Sequence, residues 1–430
     1  MKHSLLYLIL RPLVRLVVGV YFRNLHIIDS HHVPDEGPLL IASNHPNSFA
    51  EPVILATFQK RILYYLVRGD VFKNPFFAWG LRMTHQLPIY RFKDGYADMK
   101  RNDESFSACF EHLRRGNSIV IYAEGGCVFE KRLRSIKKGA ARIVLGALEK
   151  FPEIPEIKIL PVGVNYPHGD QYRSQAMVHF GEPIAVRDYW QSYQENPQVA
   201  VNQITQEIER RLSPLVLQIK DKSRDSLYND VMDIWHAGNP VPVWPIKLES
   251  PNRFQAEKKL SNFINELDDT AFSVLKHDIE KIRAGLQSAG IHNWSKLYLK
   301  RSGLFLTLAL QIVLAVPALL GIILNVIPFF AAKAVASVTK KVIEYYTPVR
   351  MAAVFFIGLI QNVILAGFVI AAGSWTCLIV LLLYPVWSWF AAYWIENWEG
   401  IFIKMKFNQL SLNLRNRYHQ IQTELISVAK

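Results

Sequence analysis

Residues 39–52 read Leu-Leu-Ile-Ala-Ser-Asn-His-Pro-Asn-Ser-Phe-Ala-Glu-Pro. An apolar run closes on Asn44-His45-Pro46, which sets an imidazole on a stiff turn at a strand end. Histidine is the side chain best matched to removing a proton near neutral pH. Glu51 is the nearest carboxylate that could hold the second ring nitrogen, fix the tautomer and stabilise the imidazolium as it forms. Together they could activate a hydroxyl as a nucleophile. The plainer reading of His45 is a turn histidine satisfied by backbone.

Three further stretches carry chemistry. Residues 86–91, Gln-Leu-Pro-Ile-Tyr-Arg, end a strand on Arg91, whose guanidinium fork can grip a phosphate. Alone, Arg91 reads equally well as a surface arginine. Residues 119–126, Ile-Val-Ile-Tyr-Ala-Glu-Gly-Gly, end a buried strand on a turn whose Gly125 and Gly126 let a ligand approach backbone amides. Lys137 and Lys138 then open a helix whose N-terminus favours anions, which makes a phosphate cradle. The alternative is a solvated basic helix start after an ordinary turn. Residues 159–166, Ile-Leu-Pro-Val-Gly-Val-Asn-Tyr, give a strand with a small-residue floor around Pro161, suited to an acyl or pantetheine channel or simply to the core.

The elements that position these residues follow from the patterning. Short β-rich runs at 38–42, 62–67, 118–123, 157–164 and 176–180 alternate with helical stretches at 103–115 and 138–148. That is the pattern of an α/β layer with its active groups on loops after strands. An amphipathic helix at 201–212 is bent or ended by Pro214. From 220 to 300 the chain is polar and helical, with helices at 252–267 and 270–288 that read as an accessory segment.

Three apolar segments follow: 304–330, interrupted by Pro317 and Pro328, then 351–372 and 375–393. Each is near or above the roughly 20 residues that span hydrocarbon. Lysines and arginines flank them all. Every basic flank is cytoplasmic if 304–330 bends at Pro317 and re-enters while the last two cross as a hairpin through Gly373-Ser374. The organisation expected is a membrane-interfacial helix over 1–22, with Arg11 and Arg15 reaching headgroups. A catalytic domain over 23–219, the accessory segment over 220–300, a transmembrane region over 301–398 and a cytoplasmic basic tail over 399–430 follow it.

Composition fits this division. The chain has 430 residues, half of them hydrophobic, and a formal charge of +13. The charge calls for an anionic partner, and nucleic acid is the poorest fit, since neither zinc-ligand spacing nor a basic–aromatic register is present. Cys109, Cys127 and Cys377 show no paired spacing, which argues for a reducing compartment. No spaced histidine pair shares a helical face with carboxylates, so no metal site is expected.

In this order and spacing, the four motifs resemble the glycerolipid acyltransferase superfamily, the glycerol-3-phosphate and 1-acylglycerol-3-phosphate acyltransferases, over residues 20–190. The resemblance implies an α/β acyltransferase domain with a mixed sheet flanked by helices. It implies no cofactor, with acyl-CoA or acyl carrier protein as the thioester co-substrate. His45 matches the catalytic histidine, Arg91 the phosphate-binding arginine, Glu124 and Gly125 the Glu-Gly pair and Pro161 the proline of the fourth block.

Two departures stand out. Position 50 is Ala, and the acid follows His45 after five residues as Glu51, which resembles a sub-branch acting on glycerol-3-phosphate or dihydroxyacetone phosphate. Ala123 replaces the usual proline before Glu124, and Lys137 ahead of Gly139-Ala140-Ala141-Arg142 resembles the same sub-branch.

The expected site therefore has His45 and Glu51 as base and orienting acid. Arg91, Glu124, Gly125 and Lys137 hold the acceptor phosphate, and Asn44, Gly126 and Pro161 line the oxyanion position or donor channel. Expected partners are the thioester, a phosphorylated glycerol or lysolipid acceptor and the bilayer, with the catalytic domain cytoplasmic. The alternatives are another lysolipid acceptor, or a degenerate acyltransferase kept as a lipid-binding membrane protein.

Overall fold

A computed structural model describes residues 5–90, 102–169, 171–242, 246–297, 304–339 and 342–430. Arg91 lies outside these residues. Helix α1 (Leu5–Tyr21) leads into β1 (Asn24–Ile28), β2 (Leu39–Ser43), α2 (Ala50–Phe58), β3 (Leu63–Arg68), α3 (Pro75–Met83) and β4 (Gln86–Ile89). Helix α4 (Asn102–Arg114), β5 (Ser118–Tyr122), α5 (Gly139–Lys150), β6 (Lys158–Asn165), β7 (Gln175–Phe180) and β8 (Ile184–Ala185) follow. Helices α6 (Trp190–Glu195) and α7 (Pro197–Leu212) close the domain. Gly116, at φ 74°, ends α4 in a left-handed turn that a side chain would resist.

The strands build one mixed sheet in the order β4-β3-β5-β2-β6-β7-β1-β9, where β9 is Lys247–Leu248. From β4 to β6 all neighbours are parallel; β7 and β8 pair with β6 antiparallel. Side chains alternate between the two faces. Leu40 and Ala42 join a core with α4, α5 and α7, while Leu39 and Ile41 join another with α1 and α2. Burial on both faces explains why the parallel strands read as continuous apolar runs. His45 follows β2, which lies between β5 and β6 where chain connections diverge to opposite sides, the crevice in which open α/β sheets bind ligands.

Helix α1 differs from expectation at Arg11. Arg11 donates to the carbonyl of Gln59, just past the C-terminal end of α2, and Arg15 lies 5.0 Å over the Phe58 ring. The carbonyls at a helix C-terminus attract cations, and Arg11 is held there.

Helices α8 (Asp225–Gly238), α9 (Pro251–Glu266) and α10 (Asp269–Ser288) form the accessory segment. The expected tail is not a tail. It is helix α16 (Leu412–Ala429), whose Tyr418, Ile421 and Leu425 bury against Tyr228, Trp235 and Leu260. These three apolar residues recur at helical spacing among charges, so the last helix supplies one wall of the accessory core.

Between them run α11 (Leu304–Val313), α12 (Ala315–Ser337), α13 (Ile343–Ala371), α14 (Trp375–Leu382) and α15 (Tyr384–Gln409). Two of these, α12 and residues 344–371 of α13, are long and apolar enough to cross a membrane, or three if α14 and α15 make one bent span. The helical break before α12 falls at Leu314, because Pro317 cannot donate to the Val313 carbonyl and crowds it. The sharp bend lies elsewhere: α14 and α15 meet at 58°, ahead of Pro385. There the Trp387 indole donates to the Val380 carbonyl at 2.9 Å. Pro328 likewise frees the Leu324 carbonyl inside α12, and Gln361 of α13 fills the gap at 2.7 Å. A carbonyl facing hydrocarbon needs such a partner. At Gly321 a side chain would strike the Trp387 carbonyl 2.0 Å away, so glycine permits α15 to pack closely on α12.

Candidate active site

Backbone geometry places the central histidine. Ser43 pairs with Tyr122 across β2 and β5, and the Ala123 amide continues the ladder to the Ser43 carbonyl at 2.9 Å. His45 and Glu124 therefore emerge side by side at the carboxyl ends of neighbouring parallel strands. Ser48, at φ 48°, turns the chain into α2, so Glu51 falls in the first helical turn, where the helix dipole favours a carboxylate. One of its oxygens accepts the Asn47 amide, and the other lies 3.5 Å from His45 Nδ1. Neither that oxygen nor Nδ1 bonds any other group among the described residues. Nδ1 faces the carboxylate, which leaves Nε2 for a substrate proton. The imidazole stacks on Tyr122, with ring centroids 3.9 Å apart, so both its plane and its tautomer are constrained.

Glu51 is wholly buried, and burial pushes its carboxyl pKa up, with the His45 contact pulling the other way. Tyr122 and Tyr166 are also raised by burial and by the Glu51 charge. The Cys127 thiol is pushed up by burial first and Glu51 second, while its sulfur accepts the Ser48 amide at 2.9 Å. A thiol held protonated and engaged in this way is a poor nucleophile. The geometry favours base catalysis over a covalent cysteine step.

Several predicted residues have other parts. Glu124 is buried and accepts the His45 amide at 3.1 Å, the Arg134 amide at 2.9 Å and the Arg134 guanidinium at 2.8 Å. A carboxylate so committed, and of the wrong sign for phosphate, serves to fix the histidine turn. Asn44 exchanges two hydrogen bonds with the backbone of Val164, at 2.9 and 2.7 Å, extending the sheet toward β6 with its side chain. It is therefore not an oxyanion donor through its amide. Pro161 is buried within β6 opposite Ala42, inside the sheet.

Gly125, at φ 72°, forms the expected left-handed turn, and a side chain there would press on Lys137, 3.1 Å away. Lys137 is exposed above that turn and bonds Ser135 at 3.0 Å, while a side chain added at Gly126 would meet nothing within 4 Å. The structure thus brings His45, Glu51, Glu124, Gly125 and Lys137 to one sheet edge.

Sequence reasoning missed Tyr122, Arg134 and Glu344. Glu344, in the first turn of α13, accepts the Phe129 amide at 2.9 Å, and the neighbouring Val128 amide donates to the His45 carbonyl at 3.2 Å. Tyr122 had a signal, being the strand residue paired with Ser43 just before the histidine turn. Arg134 and Glu344 had none, since irregular backbone and a distant helix bring them in.

A mixed α/β sheet with a histidine–carboxylate pair at its carboxyl edge has the parts of an enzyme that activates a hydroxyl. Residues 24–165 match the model of the Acyltransferase family. It is 27% identical over 225 residues to glycerol-3-phosphate O-acyltransferase 2 of Saccharomyces cerevisiae, covering 51% of this chain and 29% of that protein. It is 24% identical over 210 residues to 1-acyl-sn-glycerol-3-phosphate acyltransferase of Streptococcus pneumoniae, covering 47% of this chain and 72% of the relative. The crystal structure of the 1-acyl-sn-glycerophosphate acyltransferase PlsC from Thermotoga maritima aligns with 46% of this chain and 80% of that one, at 14% identity and a TM-score of 0.32.

Proposed function

We propose that this protein transfers a fatty acyl group from a thioester, acyl-CoA or acyl carrier protein, to a hydroxyl of glycerol-3-phosphate or 1-acylglycerol-3-phosphate, with its catalytic domain on the cytoplasmic side of a membrane. The observation that carries the reading is His45 facing the buried Glu51 at 3.5 Å within the segment that matches the family. His45 Nε2 removes the acceptor hydroxyl proton as that oxygen attacks the thioester carbonyl. The carbon–sulfur bond then breaks, and the thiolate leaves with a proton returned by the imidazolium. Glu51 stabilises the imidazolium through Nδ1. Lys137, with Arg91, neutralises the acceptor phosphate, so that binding energy from this remote group positions the hydroxyl. The Gly126 amide supplies a donor for the developing oxyanion, the Gly125 amide being held by the Tyr122 carbonyl at 3.1 Å.

An apolar groove of about 870 Å³ between α1, α2, α3 and the start of α13 supports the lipid part of the reading. Phe49 and Pro52, on either side of Glu51 in the sequence, are among its lining residues. The reading is tested by offering purified protein in proteoliposomes a labelled acyl thioester with glycerol-3-phosphate, 1-acylglycerol-3-phosphate and unphosphorylated glycerolipids. Transfer to a phosphorylated acceptor is expected. Transfer confined to acceptors lacking phosphate would contradict it.

A further inference from the structure

Helix α3 is nearly bare. Asn74 caps it by accepting the Phe76 and Phe77 amides at 2.9 and 3.3 Å, and Pro75 opens its first turn, so the chain is built to be helical here. Yet Ala78 is its one buried residue. Phe76, Phe77 and Trp79 are 74%, 61% and 57% exposed. Three neighbouring aromatics at such exposure on a nine-residue helix form a patch that water alone does not explain. Lys73 and Arg82, both exposed, bracket the patch at the two ends of the helix.

Its position says what covers it. Phe77 and Leu81 line the groove together with Met351, Phe355 and Phe356 of α13. Met351 is buried against the catalytic core, whereas from Phe356 onward α13 turns exposed apolar side chains outward at Leu359, Ile360, Val363, Ile364 and Phe368. The run from Met351 to Ala371 is about 30 Å long at 1.5 Å per residue, the thickness of a hydrocarbon core. Phe356 then lies about 7 Å inside its near boundary on the same scale. A helix that shares a groove wall with Phe356 stands at the headgroup–acyl boundary, where amphipathic helices and aromatic side chains settle. Leu8 and Ile9 of α1, a helix that also lines the groove, are exposed as well.

We propose that α3 is a bilayer-docking element. Phe76, Phe77 and Trp79 enter the interface of an anionic phospholipid bilayer, Lys73 and Arg82 meet its headgroups, and the groove mouth opens directly onto lipid. The proposal rests on the membrane-bound part of the function above and not on acyl transfer, so a catalytic failure leaves it standing.

The test uses the full chain with Cys377→Ser, reconstituted in vesicles of phosphatidylcholine and phosphatidylglycerol. An environment-sensitive nitrobenzoxadiazole probe is attached through Phe76→Cys or Trp79→Cys. Val274→Cys on α10, also exposed, serves as the control. The chain without an added cysteine gives the background from the remaining thiols. Probes at 76 and 79 should show blue-shifted emission and lose intensity when the vesicles carry lipids spin-labelled near the headgroup, while the probe at 274 keeps water-like emission. Water-like emission at 76 and 79 would overturn the proposal. So would a blue shift without quenching by spin-labelled lipid, which would mean that protein and not lipid covers the helix.

Discussion

Glu51 is placed against its own solvation preference. Burial raises its carboxyl pKa in the folded protein, so the unfolded chain, near the ordinary glutamate value of about 4.3, ionises first as pH rises. Stability linked to this residue is therefore full below about pH 4.3 and declines above it. Glu51→Gln removes that penalty and keeps an oxygen for the Asn47 amide. The variant should unfold at a higher temperature than the parent at pH 7–8, with the gap closing toward pH 4. Its activity should nevertheless fall by about 10²–10⁴, because a neutral amide neither stabilises the imidazolium nor fixes its tautomer. Thermal unfolding across pH, alongside turnover, checks both signs. The pair was partly legible in the sequence, where His45 closes a strand and Glu51 is the nearest acid. Its reach was not, because it depends on the left-handed Ser48 turn and the start of α2. Glu124 was visible but misassigned. Its partner Arg134 lies on irregular backbone that no periodicity announces.

The elements around the site show why the long apolar helix α13 belongs to its architecture. The loop from Glu124 to Lys137 has no regular structure in most of its length, yet it carries the amide that holds the His45 carbonyl. Glu344 pins that loop from α13. Glu344→Ala should speed amide hydrogen exchange at Phe129 by about 10- to 100-fold, matching the roughly 1.5–3 kcal/mol of a hydrogen bond to a charged group. Unchanged exchange there would show that the loop holds itself. Strands of the parallel sheet could be read because both-face burial makes them apolar runs. Helix α2 was harder to see, since it has apolar residues on most sides and no polar face to mark a period. Helix α3 escaped for a related reason: its aromatics look like core residues, and only the structure shows them exposed.

At the scale of the whole molecule, a buried charge cluster joins the sheet edge to the last long helix. Glu396 of α15 pairs with Arg23 at 2.9 Å and with Arg173 at 3.0 Å, all three largely shielded from water. Removing the shared acid leaves two buried guanidinium groups without it, a loss of about 3–5 kcal/mol. Glu396→Gln should accordingly lower the unfolding midpoint of the detergent-solubilised protein far more than Lys276→Ala, which breaks an exposed pair worth about 0–1 kcal/mol. Sequence could not pair residues so far apart, nor show that 412–429 closes the accessory bundle. What unites these scales is the claim that His45 acts as a base on an acceptor hydroxyl. The most direct measurement is acyl transfer from a labelled thioester to glycerol-3-phosphate by His45→Ala in proteoliposomes, with the parent's thermal transition retained. The account predicts a fall in kcat of about 10²–10⁴, the usual contribution of a general base. Activity within about tenfold of the parent would contradict it.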